Sequence, residues 1–235
     1  MDIHALLQTY PRKRGALPEA YHRVYEDAYV NSREGQTIFT RISLWLEQWM
    51  HWQAIRAPQT APLLEIGAGT LNHVPYEDGT APYDIVEPFE RLYAGKPELQ
   101  KIRTVYADTA DIPPGPHYSR IVSIAVFEHI PDLPEVIAHT TRILQPTGVL
   151  RTGIPSEGGF LWYLAWRFGT GLGFWLKYRL SYKPFQKHEH INTAAEIEAV
   201  IKHHYRTVTI QRFPLNHRHL SFYTFVEARD PIPQP

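Results

Sequence analysis

The sequence contains no cysteine among its 235 residues. A chain without thiols forms no disulfide, binds no zinc through cysteine and has no thiol nucleophile. An excess of charge of one sign is also missing, because 24 Lys and Arg balance 24 Asp and Glu. Nucleic-acid binding depends mainly on basic side chains that neutralise phosphates. We therefore expect no nucleic-acid partner.

Two further features are lacking. No uninterrupted apolar run is long enough to span a membrane. The first residues, Met1–His4, carry an acid early and lack the basic-then-apolar pattern of a signal peptide. These absences lead us to expect a cytoplasmic protein. With 43% hydrophobic residues, the chain is long enough to bury a sizeable core.

The sequence does have a glycine-containing turn directly after a short apolar run. Leu63–Ile66 is typical of a strand buried on both faces, and Gly67 and Gly69 follow it. Glycine allows a sharp turn and a close approach of a ligand because it has no Cβ. The phosphate-binding pattern G-x-G-x-x-G is incomplete, since Asn72 occupies its third glycine position. Glu65, just before the turn, would repel phosphate and could attract a cationic group.

This stretch resembles the first motif of the class I S-adenosylmethionine-dependent methyltransferases, which is acid-x-Gly-x-Gly-x-Gly. Glu65, Gly67 and Gly69 match the motif, and Leu71 replaces its last glycine. The resemblance implies S-adenosylmethionine as the cofactor. It also implies an α/β, Rossmann-like fold with a seven-stranded, mostly parallel sheet and an antiparallel C-terminal hairpin.

Residues 62–155 alternate strand and helix patterns, which predicts a parallel sheet. Thr207–Phe213 and Leu220–Ala228 alternate as expected for the closing hairpin. The five parallel strands are predicted at Leu63–Ile66, Tyr83–Val86, Arg103–Tyr106, Arg120–Ala125 and Gly148–Gly153. Ligands of such sheets bind beyond the carboxyl ends of the strands, where the strand order reverses.

Acids follow the second and third predicted strands. Glu87 lies about 20 residues beyond the glycine turn, where an acid can accept hydrogen bonds from ribose hydroxyls; the alternative is a surface acid near a helix start. By the resemblance, Asp108 would meet the adenine amino group, and the backbone N–H of Thr109 would meet a ring nitrogen. The alternative for Asp108 is a turn-forming residue, and we expect Asp111 to serve a turn or cap.

The segment Val126–Asp132 matches the one that follows the fourth strand in the resembled family. The resemblance implies that Phe127, Glu128 and His129 lie against the methionine part of the cofactor and the incoming substrate. An imidazole titrates near neutral pH, so His129 is our first candidate for a catalytic base. The alternative is a histidine that only caps or packs under the turn.

Residues 160–187 form an aromatic segment in which Phe160–Leu176 carries one charge, Arg167. Gly169, Gly171 and Gly173 interrupt it, so we do not expect one continuous helix. Three interpretations remain open, in this order: a lid at 157–190 over an apolar substrate pocket, a peripheral membrane contact, or an oligomer interface. The oligomeric state itself is not determined by the sequence.

Histidines flank Glu189 just before a predicted helix at Ala194–His204. His190 and His188 are further candidates for a base or a substrate contact, and a structural role is the alternative for each. The spacing of the two histidines could suit a metal, but no further ligand set is evident, so we expect no metal. Asn192 or Thr193 is predicted to cap the helix, with Glu196 completing a capping box.

The chain is predicted to divide into a helical N-terminal cap at 1–57, a methyltransferase domain at 58–229 and a flexible tail at 230–235. The basic stretch at 11–15 is expected to be a solvated loop. The resemblance suggests that cap residues close over the site, with three tyrosines as pocket candidates: Tyr21, Tyr25 and Tyr29. A stripe of apolar residues is expected to pack on the sheet: Ile38, Ile42, Trp45, Leu46, Trp49 and Met50.

The sequence thus favours a methyltransferase that acts on a small molecule, through O-methylation of a sugar, aromatic or lipid-linked metabolite. Two alternatives remain at this point. One is a non-catalytic binding or assembly protein that retains the cofactor fold. The other is a nicotinamide-dependent oxidoreductase, which Glu65 and the missing third glycine disfavour.

Overall fold

The structure, a computed structural model, describes residues 1–24, 38–56 and 62–233. Tyr25 and Tyr29 lie outside these ranges, as do the boundary at 57–58 and the last two residues of the predicted tail.

A seven-stranded sheet forms the centre of the fold, with the order β3-β2-β1-β4-β5-β7-β6. β1 to β5 are parallel, and β7 runs antiparallel to both β5 and β6. This arrangement confirms the predicted Rossmann-like sheet and its C-terminal hairpin. The strands are β1 Leu63–Ile66, β2 Tyr83–Val86, β3 Thr104–Tyr106, β4 Tyr118–Ile124, β5 Leu144–Pro155, β6 Tyr205–Pro214 and β7 Ser221–Pro231.

Helices cover both faces of the sheet. Every residue of β1, β2 and β4 is buried, as expected for central strands with helices on both sides. Within the described residues the α-helices are α1 Ile3–Leu7, α2 Glu19–His22, α3 Ile38–Ala54, α4 Glu90–Tyr93, α5 Leu133–Ile143, α6 Phe160–Ala165, α7 Gly171–Tyr178, α8 Tyr182–Glu189 and α9 Ala194–His204.

The bounds of β5 and β7 differ most from the prediction. β5 starts before the predicted Gly148 and contains a bulge: Tyr118 pairs with Leu144 and Arg120 with Val149, so residues 145–148 protrude opposite one residue of β4. β7 extends to Pro231, which places the first two residues of the predicted tail in the sheet. Both differences arise because strand pairing continues past the local turn signals.

Helix α3 packs on the sheet only in part as predicted. Met50 is fully buried, and its side chain occupies the space that a Cβ at Gly153 of β5 would need. Trp49 stacks on Phe213 at a centroid distance of 5.4 Å. Trp45 is 65% exposed, so its assignment to the packed stripe is wrong. The side chains of Ile38 and Ile42, also assigned to the stripe, lie outside the described part of the chain.

The aromatic segment is more regular than predicted. α6 continues into a π-helical turn at 166–170 and then into α7, and the junction residues Ala165, Thr170 and Gly171 all have right-handed helical backbone angles. The expectation that glycines would break the helix is wrong. Gly169 lies in the π-turn and Gly171 and Gly173 lie in α7, so the helical backbone continues through all three.

Candidate cofactor and acceptor site

A cavity of about 650 Å³ lies at the carboxyl ends of the parallel strands. Its volume is in the range of small-molecule sites, and its position is the one expected for ligands of this sheet type. Most of the predicted site residues line it: Glu65, Gly67, Gly69, Glu87, Asp108, Thr109, Glu128, His129 and His190.

The glycine turn after β1 has the conformation that glycine favours. Gly67 has a φ of +75° and Gly69 a φ of +52°. A Cβ built on Gly67 would lie 2.4 Å from Cγ2 of Val126, in the loop after β4. The side chain of Val126 therefore packs directly on the backbone of Gly67, and both residues line the cavity.

Glu87 holds the glycine turn in place. Its carboxylate accepts hydrogen bonds from the backbone N–H of Gly69 at 2.8 Å and of Phe89 at 3.0 Å. The side chain is buried and lines the cavity. It is therefore more than a surface acid, and its contact with ribose hydroxyls remains a prediction.

Asp108 forms a local cap at the mouth of the cavity. Its carboxylate accepts the backbone N–H of Ala110 at 2.9 Å, and Asp111 accepts the N–H of Asp108 at 3.0 Å. The two acids thus form a reciprocal capping box around a short 3₁₀ helix. Asp111 has the capping role expected of it, and Asp108 has the turn-forming role weighed as an alternative while also lining the cavity.

Glu65 lies at the back of the cavity. It is 3% exposed and accepts a hydrogen bond of 2.5 Å from the hydroxyl of Tyr83. Burial raises the pKa of Glu65. A cationic ligand group nearby would offset this desolvation, which fits the role that the motif implies for this acid.

Glu128 provides a second buried carboxylate. It is 2% exposed, and its Oε2 atom has no hydrogen-bond partner among the described residues. Burial raises its pKa to about 7, against an opposing effect of His190. Phe127 differs from its prediction, because it lies fully buried in the main core and does not line the cavity. Within the 3₁₀ turn at 127–129, Phe127 packs into the core whereas Glu128 and His129 line the cavity.

His129 is oriented by the chain before α9. Its Nδ1 lies 2.8 Å from the backbone carbonyl oxygen of Glu189. A carbonyl oxygen only accepts, so Nδ1 carries the proton and a neutral ring has its lone pair on Nε2. Nε2 lies 3.9 Å from Oε1 of Glu128.

The other two candidate histidines differ from each other. Nδ1 of His190 lies 2.5 Å from Oε1 of Glu157. Burial alone would lower the pKa of His190, but the hydrogen bond and charge of Glu157 outweigh it and raise the pKa. His188 does not line the cavity, and its Nδ1 contacts the backbone oxygen of Gly15 at 2.7 Å. Its side chain instead faces the N-terminal segment, so the structure does not bring His188 to the site.

A chain of buried polar residues that the sequence reasoning missed also reaches the cavity. Nδ1 of His51 lies 3.0 Å from Nδ1 of His73, whose Nε2 lies 2.9 Å from Oε1 of Glu77. Glu77 also pairs with the buried Arg120 of β4. His51 and His73 both line the cavity. His51 comes from α3, His73 and Glu77 lie four residues apart after β1, and Arg120 comes from β4. Apart from the spacing of His73 and Glu77, the members are distant in sequence.

The N-terminal residues differ in part from their predictions. Tyr21 packs in an aromatic cluster with Phe174 and donates a hydrogen bond to the backbone of Ser181, so it does not line the cavity. The basic stretch is not simply solvated, because Arg12 forms an ion pair with Glu196 at 2.7 Å. Arg12 reaches Glu196 because α9 starts beside the N-terminal segment.

No group of three or more His, Cys, Asp or Glu side chains in the described ranges is placed to hold a metal ion. No helix within the same ranges is long and apolar enough to cross a membrane.

Comparisons with known proteins agree with this geometry. A family model described as a methyltransferase domain matches residues 39–224. A search of curated proteins finds no match. Among solved structures, a SAM-dependent methyltransferase of Thermotoga maritima is similar at 16% identity, over 92% of this chain and all of that chain, with a TM-score of 0.60. The N-methyltransferase NodS of Bradyrhizobium japonicum, solved with S-adenosyl-L-homocysteine, is 12% identical over 91% of this chain and 99% of its own, with a TM-score of 0.56.

The chain belongs to the methyltransferase domain family, since the family model covers most of its length. It is an S-adenosylmethionine-dependent methyltransferase, and the nicotinamide-dependent oxidoreductase weighed from the sequence is not supported. The cavity suits this cofactor, because it combines the glycine turn with buried carboxylates, one of which has an oxygen without a partner among the described residues.

Proposed function

We propose that the protein methylates a hydroxyl group of a small molecule and that His129 is the base that receives the hydroxyl proton. The observation that carries this proposal is the hydrogen bond from Nδ1 of His129 to the carbonyl of Glu189. It fixes the orientation of a ring that lines the cavity, and a neutral ring in this tautomer has its lone pair on Nε2. Among the acceptors considered, a sugar, an aromatic metabolite and a lipid-linked metabolite all offer such a hydroxyl.

The cofactor would lie between the glycine turn and the acids at the strand ends. Gly67 and Gly69 would let it approach the backbone, Glu87 would accept from its ribose, and Asp108 and Thr109 would border its adenine. Bound S-adenosylmethionine supplies an electrophilic methyl group. The protein contributes alignment of the acceptor, exclusion of water and removal of a proton.

Glu128 supports the proposed base. Once His129 takes up a proton it becomes a cation, and a carboxylate 3.9 Å away stabilises that charge. With a pKa of about 7, Glu128 is increasingly ionised above neutral pH. His190 is the weaker candidate because its pairing with Glu157 favours the protonated ring, which has no lone pair to offer.

The first test supplies the protein with S-adenosylmethionine and a panel of hydroxyl acceptors from the three classes. Methyl transfer is measured as the formation of S-adenosylhomocysteine. For an acceptor that is turned over, His129→Asn is expected to lower kcat by about 10²- to 10⁴-fold, the usual contribution of a general base. S-adenosylmethionine binding, measured by calorimetry, should be unchanged. The matched control is His117→Asn, a change at an exposed histidine outside the cavity, which should leave kcat unchanged.

Three results would contradict the proposal. An unchanged kcat in His129→Asn would exclude His129 as the base. Turnover of amines in a panel where no hydroxyl acceptor reacts would show that the acceptor atom is nitrogen. Tight cofactor binding without transfer to any acceptor of either kind would support the alternative of a non-catalytic binding protein.

A further inference from the structure

The helical run at 160–178 exposes an unusual number of large apolar side chains. The exposed set lies along α6, the π-turn and α7 and comprises Phe160, Tyr163, Phe168, Leu172, Trp175 and Leu176. Phe168 is 61% exposed and Leu176 52%. Contiguous exposed apolar surface of this kind usually marks a protein or membrane contact.

The opposite side of the same run is anchored to the protein. Phe174 is buried and stacks on Tyr21 at 6.4 Å and contacts Phe185 at 5.7 Å. Trp162 and Trp166 line the cavity. The exposed side chains are therefore the outer face of a packed helix, and the inner face forms a wall of the site.

Basic residues surround this outer face. Residues 158–188 contain five Lys and Arg and no Asp or Glu, whereas the rest of the chain has 19 basic and 24 acidic residues. The guanidinium of Arg179 lies 4.8 Å from the ring of Trp175. Lys183 and Lys187 are exposed one turn apart on α8. The segment that forms the apolar face is thus rich in basic residues, on a chain that is neutral overall.

We propose that this surface, the outer face of residues 160–178 with the basic residues through Lys187, docks on an anionic lipid bilayer. Aromatic side chains insert at the interface, and lysine and arginine pair with the headgroups. A second copy of the chain is a poorer occupant. A two-fold dimer would place this surface against the same surface of the second copy. The five basic residues of one copy would then lie close to the five basic residues of the other and repel them.

Docking would place the acceptor site next to the headgroup layer, because the docked helix is also a wall of the cavity. Among the proposed acceptors this favours the lipid-linked metabolite, a consequence that rests on the proposed function. The docking itself does not depend on the acceptor.

The test is co-sedimentation of the full chain with vesicles of phosphatidylcholine alone and of phosphatidylcholine mixed with phosphatidylglycerol. We expect at least tenfold stronger binding to the anionic vesicles, weakened by salt because the attraction is in part electrostatic. Phe168→Glu combined with Trp175→Glu should abolish binding. Val105→Glu, which introduces an acid at a partly exposed site on edge strand β3, should leave binding unchanged.

A charge-reversal pair tests the basic residues separately. Lys183→Glu with Lys187→Glu should weaken binding to anionic vesicles at least tenfold. Lys96→Glu with Lys101→Glu makes the same change in net charge near β3 and should have little effect. Calorimetric binding of S-adenosylmethionine confirms that each variant is folded.

Three outcomes would overturn docking. In the first the wild type does not bind vesicles, and in the second the Phe168/Trp175 variant binds them as strongly as the wild type. In the third outcome the wild type is a dimer, the variant is a monomer and neither protein binds vesicles. Vesicle binding without methyl transfer to any hydroxyl would instead count against the proposed function alone. Methyl transfer to soluble hydroxyl acceptors without vesicle binding would count against docking alone.

Discussion

Gly67 and Gly79 have the same backbone conformation but different surroundings. Each has a φ of +75°. A Cβ on Gly67 would clash with Val126, whereas a Cβ on Gly79 would meet nothing within 4 Å. Alanine substitutions at these two glycines can therefore be compared. The change at Gly79 measures the loss of stability from the backbone angle alone, and the change at Gly67 adds the loss from the clash with Val126.

Gly67→Ala is expected to lower the free energy of unfolding by the backbone strain of about 1–2 kcal/mol plus about 1–3 kcal/mol for overpacking. It should also weaken S-adenosylmethionine binding at least tenfold, because the displaced Val126 loop borders the cavity. Gly79→Ala should show the strain alone and normal binding. Urea unfolding and calorimetry measure the two quantities, and equal effects of the two changes would show that the contact with Val126 is unimportant.

At the scale of elements, Arg120 connects parts of the chain that are distant in sequence. This residue of β4 is 1% exposed, donates to the backbone oxygen of Ala54 in α3 at 3.2 Å and pairs with Glu77. Glu77 follows the 3₁₀ helix at Val74–Tyr76. A buried guanidinium that loses a carboxylate partner retains an uncompensated charge.

Glu77→Gln is accordingly expected to destabilise the protein by about 3–5 kcal/mol. The matched control is Glu135→Gln on α5, whose partner Arg142 has a half-exposed side chain. Exposed pairs contribute about 0–1 kcal/mol, so the control should change little. Chemical denaturation distinguishes the two, and a loss below about 1 kcal/mol in Glu77→Gln would mean that water or another group replaces the carboxylate.

At the scale of the whole molecule, buried histidines link stability to pH. Burial, and secondly the proximity of His73, lower the pKa of His51 to about 3, compared with 6.5 for an ordinary histidine. Below about pH 6.5 the unfolded chain therefore takes up a proton at His51 that the folded chain refuses. This contribution to stability is present at neutral pH and falls as the pH is lowered. Glu128, whose pKa is raised to about 7, acts in the opposite sense.

Because these two contributions oppose each other, we compare the free energy of unfolding of a variant with that of the wild type at each pH. His51→Asn should be less stable than the wild type at pH 7, and the gap should narrow by about 2 kcal/mol by pH 5, from 1.36 kcal/mol for each pH unit below 6.5. Urea unfolding at several pH values measures it. His117→Asn, at an exposed position, should leave the pH dependence unchanged. A constant gap for His51→Asn would show that His51 takes up a proton as readily in the folded state as in the unfolded chain.

The sequence by itself determined the sheet and the position of the cavity. Strands such as β1 and β2 have local apolar patterns, and the glycine turn and Glu87 follow them at spacings that depend on the chain alone. The capping box of α9, with Thr193 and Glu196, is also local and was predicted. Such features involve neighbours within a few residues or one βα unit, so periodicity and spacing contain the necessary information.

Only the tertiary structure decided which side chains meet at the site. It buried Phe127 in the core, directed His188 to the N-terminal segment and brought His51 to the cavity. Asn192, considered only as a helix cap, donates to the backbone of Phe127 and Ile130 and accepts from Tyr10. These contacts join residues far apart in the chain, and side-chain direction in short 3₁₀ turns changes with each residue. Packing between elements determines both the long-range contacts and the side-chain directions, so no local sequence pattern could reveal either.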